Sequence, residues 1–266
     1  MGRQMRILGF SGALRAVVLA WGMVSLAPAA GFAAGALVSP GTVNSMARPA
    51  EPFGLPAAVL TSGSLREKWL AVQRRLEDEM VQLALCEGDR DGCASPAALQ
   101  FLAIVEAGKA RDGRARLGEI NRALNLAIRP VSDLAQYGAM DVWSSPLATL
   151  FRGAGDCEDY AIAKFVALRR AGVSPDDLRI VIMRDTLRGE DHAVTAARLD
   201  GHWLMLDNSR MAMIEDAHVR HYRPTFVLDH SDVMQYVDTP LLANAAQRDP
   251  SPAIAFMEPG LVMPAD

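Results

Sequence analysis

The sequence lacks several features that would assign it to a common protein class. Histidine is scarce, with five residues, and all of them lie at position 192 or later. Cysteine occurs three times, and aromatic residues make up only 6% of the chain. Basic and acidic residues nearly balance, at 27 and 31, and no arginine-rich face or basic patch occurs. The lack of such a patch argues against a nucleic-acid-binding protein.

The first 33 residues lack an apolar run long enough for a membrane span but resemble an export signal. Arg3 and Arg6 give a positive start, an apolar run extends from Ala16 to Leu26, and small residues lead to Ala33. The apolar run is too short and too soon interrupted for a transmembrane helix. No cysteine lies in this segment, which argues against a lipid anchor. We therefore expect residues 1–33 to be a signal peptide and the protein to be periplasmic.

The three cysteines are consistent with export to an oxidising compartment. Cys86 and Cys93 flank a turn-forming spacer rich in Gly and Asp and can close a small disulfide loop. A metal site there is poorly supported, because no histidine lies nearby. Cys157 is then an unpaired thiol, which indicates a reactive role in an exported protein, although a buried inert thiol is a common alternative.

The rest of the chain divides into a linker, one domain and a tail. Residues 34–63 are rich in Ala, Gly, Pro and Ser, which predicts a linker. Residues 64–238 form the predicted domain. Residues 239–266 contain repeated prolines and are predicted to be loosely ordered.

Within the domain, the spacing of apolar residues changes from helical to strand-like. Helices are predicted over 64–85, from 96 onward, over 114–128, around 147–150 and over 156–170. Strands are predicted over 178–183, 192–199 and 203–207. Asp200-Gly201 is a two-residue hairpin signal between the last two strands. Helices followed by an antiparallel sheet indicate the α+β class.

Cys157 lies at the start of a predicted helix, a position that favours a reactive thiol. The unpaired N–H groups of a helix N-terminus favour the thiolate, which is the attacking form of cysteine. Asp156, Glu158 and Asp159 surround it in sequence. Taken alone, this block also fits a capped helix start with a bystander cysteine, because acids are common in a first helical turn.

The predicted hairpin supplies a candidate base for that thiol. With Asp200 and Gly201 as the turn residues, His192 and Asp207 lie diagonally on one face of the strand pair. Diagonal neighbours are roughly 7–8 Å apart, within reach of long side chains. A carboxylate that holds a histidine in one tautomer prepares a general base. The alternative is a polar pair at the end of a sheet. Trp143, in a turn upstream of Cys157, is a further candidate, as an oxyanion donor or as a core residue.

These segments resemble the bacterial transglutaminase-like cysteine proteinases. The resemblance covers about 69–229 and is carried by Asn121 to Asn125, Asp141-Val142-Trp143 with Pro146, residues 155–164 (GDCEDYAIAK), His192-Ala193-Val194 and Leu206-Asp207-Asn208. It implies a papain-like, transglutaminase-like core with Cys157, His192 and Asp207 as the catalytic triad. It also implies a calcium site formed by Asp156, Glu158 and Asp159.

The expected function is that of an exported thiol endopeptidase. The family includes a periplasmic protease that releases large surface adhesins during biofilm dispersal and that an inner-membrane cyclic-di-GMP receptor can hold. The resemblance therefore implies an adhesin substrate and such a receptor as partner. A transglutaminase or amidase acting on glutamine side chains with the same triad is the alternative, and a non-enzymatic binding domain is a third.

Overall fold

The computed structural model describes residues 51–237, which form an α+β unit and confirm the expected fold class. The predicted signal peptide, residues 34–50 of the predicted linker and the predicted tail lie outside the described residues. The helices are α1 (Ser64–Gly88), α2 (Pro96–Lys109), α3 (Gly113–Ala127), α4 (Asp133–Tyr137), α5 (Pro146–Arg152) and α6 (Cys157–Arg170). None of the helices in this part of the chain has both the length and the hydrophobicity that crossing a bilayer requires.

The strands form one large antiparallel sheet and one small parallel pair. The large sheet has the order β1-β9-β8-β4-β5-β6-β7. Its strands are β1 (Ala57–Val59), β4 (Leu178–Asp185), β5 (Glu190–Leu199), β6 (His202–Leu206), β7 (Ile214–Glu215), β8 (Tyr222–Leu228) and β9 (Val233–Tyr236). The small pair joins β2 (Arg129–Pro130) to β3 (Ala154–Gly155).

The hairpin between β5 and β6 has the register that the sequence predicts. Leu199 pairs with His202 and Thr195 pairs with Leu206. Asp200 and Gly201 both have positive φ, at 51° and 83°, as a tight two-residue turn requires. The strand end after Leu206 therefore lies beside the start of β5.

The predicted linker differs from the structure at its C-terminal end. Residues 57–59 form β1, which pairs with β9 at the edge of the sheet. Upstream, Glu51 forms a buried ion pair with Arg179 of β4, with Oε2 2.6 Å from Nε. Composition gave no sign of this strand, because three residues of Ala and Val carry almost no periodicity. The folded unit therefore includes residues 51–63.

Strands β8 and β9 were not predicted from the sequence. Pro224 lies inside β8, where a missing N–H argues against a strand. The structure accommodates it with a register shift opposite Ile182 and Met183 of β4. Strand β9 has only four residues, too few for a clear alternation.

Helix α6 is the central helix, and ten consecutive residues from Asp159 to Leu168 are buried in it. It packs on one face of the sheet, where β5 presents Ala193 and Ala197 to the helical core. The alternate residues Val194 and Ala196 face a second core on the other side of the sheet. These alanines leave space for a close approach, so the packing sets the start of α6 next to the start of β5.

Gly155 allows the turn into α6 to be tight. A Cβ at this position would lie 2.8 Å from both Cβ and Oδ2 of Asp159 and 3.1 Å from Cγ2 of Thr149. Asp159 and Thr149 are fully buried and have no room to move away. The glycine before Asp156 is therefore required by packing.

We predict that Gly155→Ala destabilises the protein by about 1–3 kcal/mol, because a buried overlap forces side chains or backbone to shift. Gly118→Ala in α3 is the matched control, since its new Cβ would meet only the Met213 methyl at 3.6 Å. That substitution should be neutral or stabilising by up to about 1 kcal/mol, because alanine favours a helix over glycine. Denaturant unfolding of both variants measures the difference, and equal effects would contradict the packing argument.

The structure confirms the predicted disulfide between Cys86 and Cys93, which closes the turn between α1 and α2. Cys86 is buried in the helical core, and Cys93 packs against it.

Replacing both cysteines with alanine should lower the free energy of unfolding by about 2 kcal/mol, since a short cross-linked loop restricts the unfolded chain. Chemical denaturation with and without a reducing agent tests this. The reductant should weaken the wild-type protein and leave the double variant unchanged. Two free thiols at these positions in protein recovered from an oxidising compartment would contradict the pairing.

Candidate active site

Cys157 is the first residue of α6 and the only free cysteine in the described chain. Asp156 is the N-cap residue and makes no side-chain capping hydrogen bond. The Cys157 thiol donates to Glu158 Oε2 over 2.9 Å. The backbone N–H of Ala193 also interacts with the sulfur. Because Ala193 follows His192 directly, the thiol lies beside the start of β5.

His192 and Asp207 are in contact, with Nε2 of the imidazole 3.1 Å from Oδ1 of the carboxylate. Asp207 Oδ1 also accepts the backbone N–H of Ser209 at 2.8 Å and its hydroxyl at 2.9 Å. Burial alone would raise the pKa of Asp207, but the hydrogen bonds from His192 and Ser209 outweigh it and hold that pKa below its usual range. Asp207 is therefore ionised whenever the protein is folded near neutral pH.

The imidazole of His192 is further oriented by an aromatic ring. Tyr222 of β8 lies with its ring centroid 5.9 Å from that of His192, at an interplanar angle of 31°. Because Nε2 is hydrogen-bonded to Asp207, the other ring nitrogen, Nδ1, is the one that can exchange a proton with another group. The sequence gave no indication of Tyr222, because β8 itself was not predicted.

A cavity of about 260 Å³ on the sheet face opposite α6 borders Asp207 and Tyr222, which both lie against His192. Its floor includes Met183, Val194 and Met205 of the second core, and Asp207, Tyr222 and Arg210 lie at its wall. A wider groove of about 510 Å³ lies between α1 and the C-terminal half of α6, and none of Cys157, His192 and Asp207 lines it. The smaller cavity is thus the one that borders Asp207, the hydrogen-bond partner of the candidate base.

The acids near Cys157 form a cluster that differs from the predicted set. Asp156 and Glu158 come together with Asp133 of α4, and each offers an oxygen within 4.8 Å of the others. Asp159 is not part of this group. It is fully buried, and its Oδ1 accepts the backbone N–H of Ser144 at 2.8 Å. Its carboxylate ties the turn after Trp143 to α6.

Asp133 was missed because it lies 23 residues before Asp156, in a five-residue helix with no periodicity of its own. Its Oδ2 accepts the backbone N–H of Val142, which fixes the carboxylate. Its other oxygen, Oδ1, is buried without a hydrogen-bond partner within the described chain, as is Oδ1 of Asp156. Buried oxygens without donors are costly unless a proton or a cation engages them.

The close packing of these acids raises the pKa values of Asp156 and Asp159. Burial, together with the negative charge of Glu158, raises the pKa of Asp156 to about 9. Burial raises the pKa of Asp159 to about 6, against the hydrogen bond from Ser144. The pKa of the Cys157 thiol is raised far above its usual range, first by burial and then by the charge and hydrogen bond of Glu158. The neighbouring acids therefore oppose formation of the thiolate.

Trp143 does not provide an oxyanion donor through its indole. The indole Nε1 donates to Asp141 Oδ1 at 2.9 Å, and the Trp143 carbonyl accepts from Arg75 Nη2 at 2.6 Å. The next backbone N–H, that of Ser144, is bound to Asp159. Trp143 is buried and supports the turn that leads to α5.

Comparison with known proteins identifies the family. Residues 80–236 match the family of bacterial transglutaminase-like cysteine proteinases. No curated protein matches the chain.

Among solved structures, LapG of Legionella pneumophila resembles the chain in several forms. The EGTA-treated form gives a TM-score of 0.50 at 20% identity and covers 64% of this chain and 91% of its own. Another LapG structure gives 0.49 at 21% identity, over 59% and 86%. The calcium-bound form gives 0.47 at 22% identity, over 52% and 77%. At 20% identity, the likeness to the EGTA-treated form shows a shared fold.

The family match spans more than half of the chain and includes α6, which begins at Cys157, β5, which carries His192, and the end of β6, which Asp207 follows. The chain therefore belongs to the bacterial transglutaminase-like cysteine proteinases and is a cysteine peptidase.

Proposed function

We propose that the protein is an exported endopeptidase whose catalytic residues are Cys157, His192 and Asp207. The observation that carries the proposal is the 3.1 Å contact between His192 Nε2 and Asp207 Oδ1. It leaves Nδ1 of the imidazole available at the start of β5, where the Cys157 thiol also lies. A thiol, a base and an orienting carboxylate in this order make up a nucleophilic catalytic unit.

In the proposed reaction, His192 Nδ1 takes the thiol proton as Cys157 Sγ bonds to the carbonyl carbon of the substrate. Asp207 stabilises the imidazolium that forms. The C–N bond then breaks, the imidazolium gives its proton to the leaving amine, and a thioester remains on Cys157. A water molecule, deprotonated by His192, attacks the thioester and releases the acid product with the thiol restored.

The start of α6 offers a donor for the oxyanion of this reaction. As the first helical residue, Cys157 has a backbone N–H without an intrahelical acceptor. An N–H at the attacking residue lies close to the carbonyl oxygen on which negative charge develops. We therefore propose this group as one oxyanion donor.

We also propose that Asp133, Asp156 and Glu158 hold calcium, with Asp133 in the place that the sequence gave to Asp159. Three clustered carboxylates, of which Asp133 and Asp156 each keep an unpaired buried oxygen, fit a hard divalent cation, which prefers oxygen ligands. Bound there, the cation would supply positive charge that offsets the repulsion between the acids and the thiolate. Glu158 connects the two groups, since it belongs to the acid cluster and accepts the Cys157 thiol hydrogen bond.

The compartment and substrate are proposals of the same kind. The signal-like segment 1–33 supports export to the periplasm, and family membership supports a protein substrate, for which we propose a large surface adhesin. An inner-membrane cyclic-di-GMP receptor is the proposed partner. The proposed domain is 64–238, extended at its N-terminal end to residue 51.

Cys157→Ala and His192→Ala should each lower peptide cleavage by about 10³-fold or more, because members of a catalytic unit do not act independently. Asp207→Asn should lose a similar amount, since its amide cannot stabilise the imidazolium. Cleavage is measured on a quenched-fluorescence peptide library, with circular dichroism confirming that each variant folds. His202→Ala, at an exposed position beside the hairpin turn, is the control and should retain activity. Turnover by folded Cys157→Ala would exclude this residue as the nucleophile.

Removal of calcium should suppress cleavage, and added calcium should restore it better than magnesium, which demands a smaller octahedral shell. Asp133→Asn and Glu158→Gln should weaken calcium binding in calorimetry while leaving the thiol in place. Asp141→Asn, an exposed acid of the adjacent turn, is the control and should bind as the wild type does. Full activity in excess chelator, with no heat of calcium binding, would refute the site.

A further inference from the structure

Lys164 is a fully buried lysine on the helix that carries the candidate nucleophile. It has 0% exposed surface. It follows Cys157 by seven residues in α6, which is about two helical turns, so both side chains lie on one face of the helix roughly 10 Å apart along its axis. Lysines are almost never fully buried unless they are paired.

The ammonium of Lys164 reaches the end of β6. Within the described chain, its one hydrogen bond goes to the backbone carbonyl of Leu206, with Nζ 3.1 Å from the oxygen. Leu206 is the last residue of β6 that pairs with β5, and Asp207 follows it directly. The charge of Asp207 acts on Lys164 and opposes the loss of its proton. From α6 itself, the ring of Tyr160 lies 5.7 Å from Nζ.

The other groups around this strand end are neutral or already bound to Asp207. Asn125 of α3 donates to the Asp207 carbonyl at 3.0 Å. His192 of β5 is hydrogen-bonded to the Asp207 carboxylate. Thr195 of β5 donates its hydroxyl to Ala161 O at 2.7 Å, which is a second link between α6 and the sheet. Lys164 is thus the charged link between α6 and the segment that carries Asp207.

A lysine at this buried position lowers the free energy of unfolding, because its charge must leave water when the chain folds. Burial lowers the pKa of Lys164 to about 7, against the effect of Asp207. An apolar side chain of similar volume, such as methionine, would fill the same space without removing a charge from water. Packing alone therefore does not explain the lysine, whereas a demand for a long hydrogen-bond donor at the Leu206 carbonyl does.

We propose that Lys164 is a positioning residue that fixes the Leu206–Asp207 end of β6 and so holds the Asp207 carboxylate against His192. The inference rests on the proposed triad. Lys164 touches neither substrate nor thiol. It acts through the backbone carbonyl of Leu206, which precedes Asp207, while Asn125 holds the carbonyl of Asp207 itself. Loss of this link lets Asp207 move away from His192, which leaves the imidazolium without its carboxylate.

The reactivity of Cys157 provides a test that needs no knowledge of the substrate. Iodoacetamide alkylates the thiolate, forming a thioether and releasing iodide, and Cys157 is the only free cysteine of residues 51–237. The rate is followed by mass spectrometry across pH at one fixed calcium concentration. In Lys164→Met we expect the pH midpoint of alkylation to move upward, and the rate at neutral pH to fall about tenfold, since small displacements of catalytic groups have effects of this size or larger.

Two variants separate positioning from simple stabilisation. Thr195→Val removes the neutral link between α6 and β5, and it should lower stability without moving the alkylation midpoint. Lys164→Arg keeps the positive charge and the donors, and it should retain a midpoint close to that of the wild type. Should Lys164→Met fail to fold, Lys164→Ala is measured with the same expectation, since it leaves room for water at the Leu206 carbonyl.

An unchanged midpoint in folded Lys164→Met would overturn the proposal. A downward shift would also overturn it, because it would mean that the lysine acts only by its charge on the Asp207–His192 pair. Failure of both Lys164→Met and Lys164→Ala to fold would assign the residue to folding alone. His192→Ala tests the triad separately: if it alkylates as the wild type does, the proposed triad fails whatever Lys164 does.

Discussion

The structure depends on the close packing of α6 against β5. Small residues on both surfaces let the helix approach the strand, and this contact brings the helix start, with Cys157, to the strand start, with His192. The hairpin turn at Asp200 then sets the register that places Asp207 beside His192. Each candidate group lies at the end of a regular element, where a side chain can be both held firmly and reached from outside.

The acid cluster of Asp133, Asp156 and Glu158 acts on the thiol in the opposite sense to the helix N-terminus. A helix N-terminus favours a thiolate, yet Glu158 and Asp156 oppose it by proximity and shared burial. The side chains that would bind a cation are thus the ones that hold the thiol protonated without it. In the proposed site, cation binding and activation of the thiol would be coupled through one residue, Glu158, which belongs to the acid cluster and accepts the thiol hydrogen bond.

Local sequence patterns predicted much of this architecture, as one helix and one hairpin illustrate. The helix at 157–170 and the hairpin at 190–206 are specified by periodicity and by a two-residue turn, so their register could be predicted and their bounds to within two residues. Asp133 and Tyr222 could not be predicted, because only the tertiary fold brings them to the site from a five-residue helix and from a strand that contains proline. The different position of Asp159, which binds the backbone N–H of Ser144 outside the acid cluster, illustrates the same limit: adjacency in sequence does not show which way a side chain in a first helical turn faces. The catalytic assignment itself remains a prediction.

The two ends of the described chain meet at the β1–β9 edge of the sheet. The backbone N–H of Val237 donates to the carbonyl of Pro56 at 2.9 Å, next to the pairing of Ala57 with Tyr236. In the strand order, this edge is separated from β5 and β6 by β8 and β4. An affinity tag or a surface tether attached at either end would therefore leave the folded unit from one place, away from the strands that carry His192 and Asp207. Immobilisation directly at residue 51 or at residue 237 would accordingly present the same face of the enzyme to a macromolecular substrate.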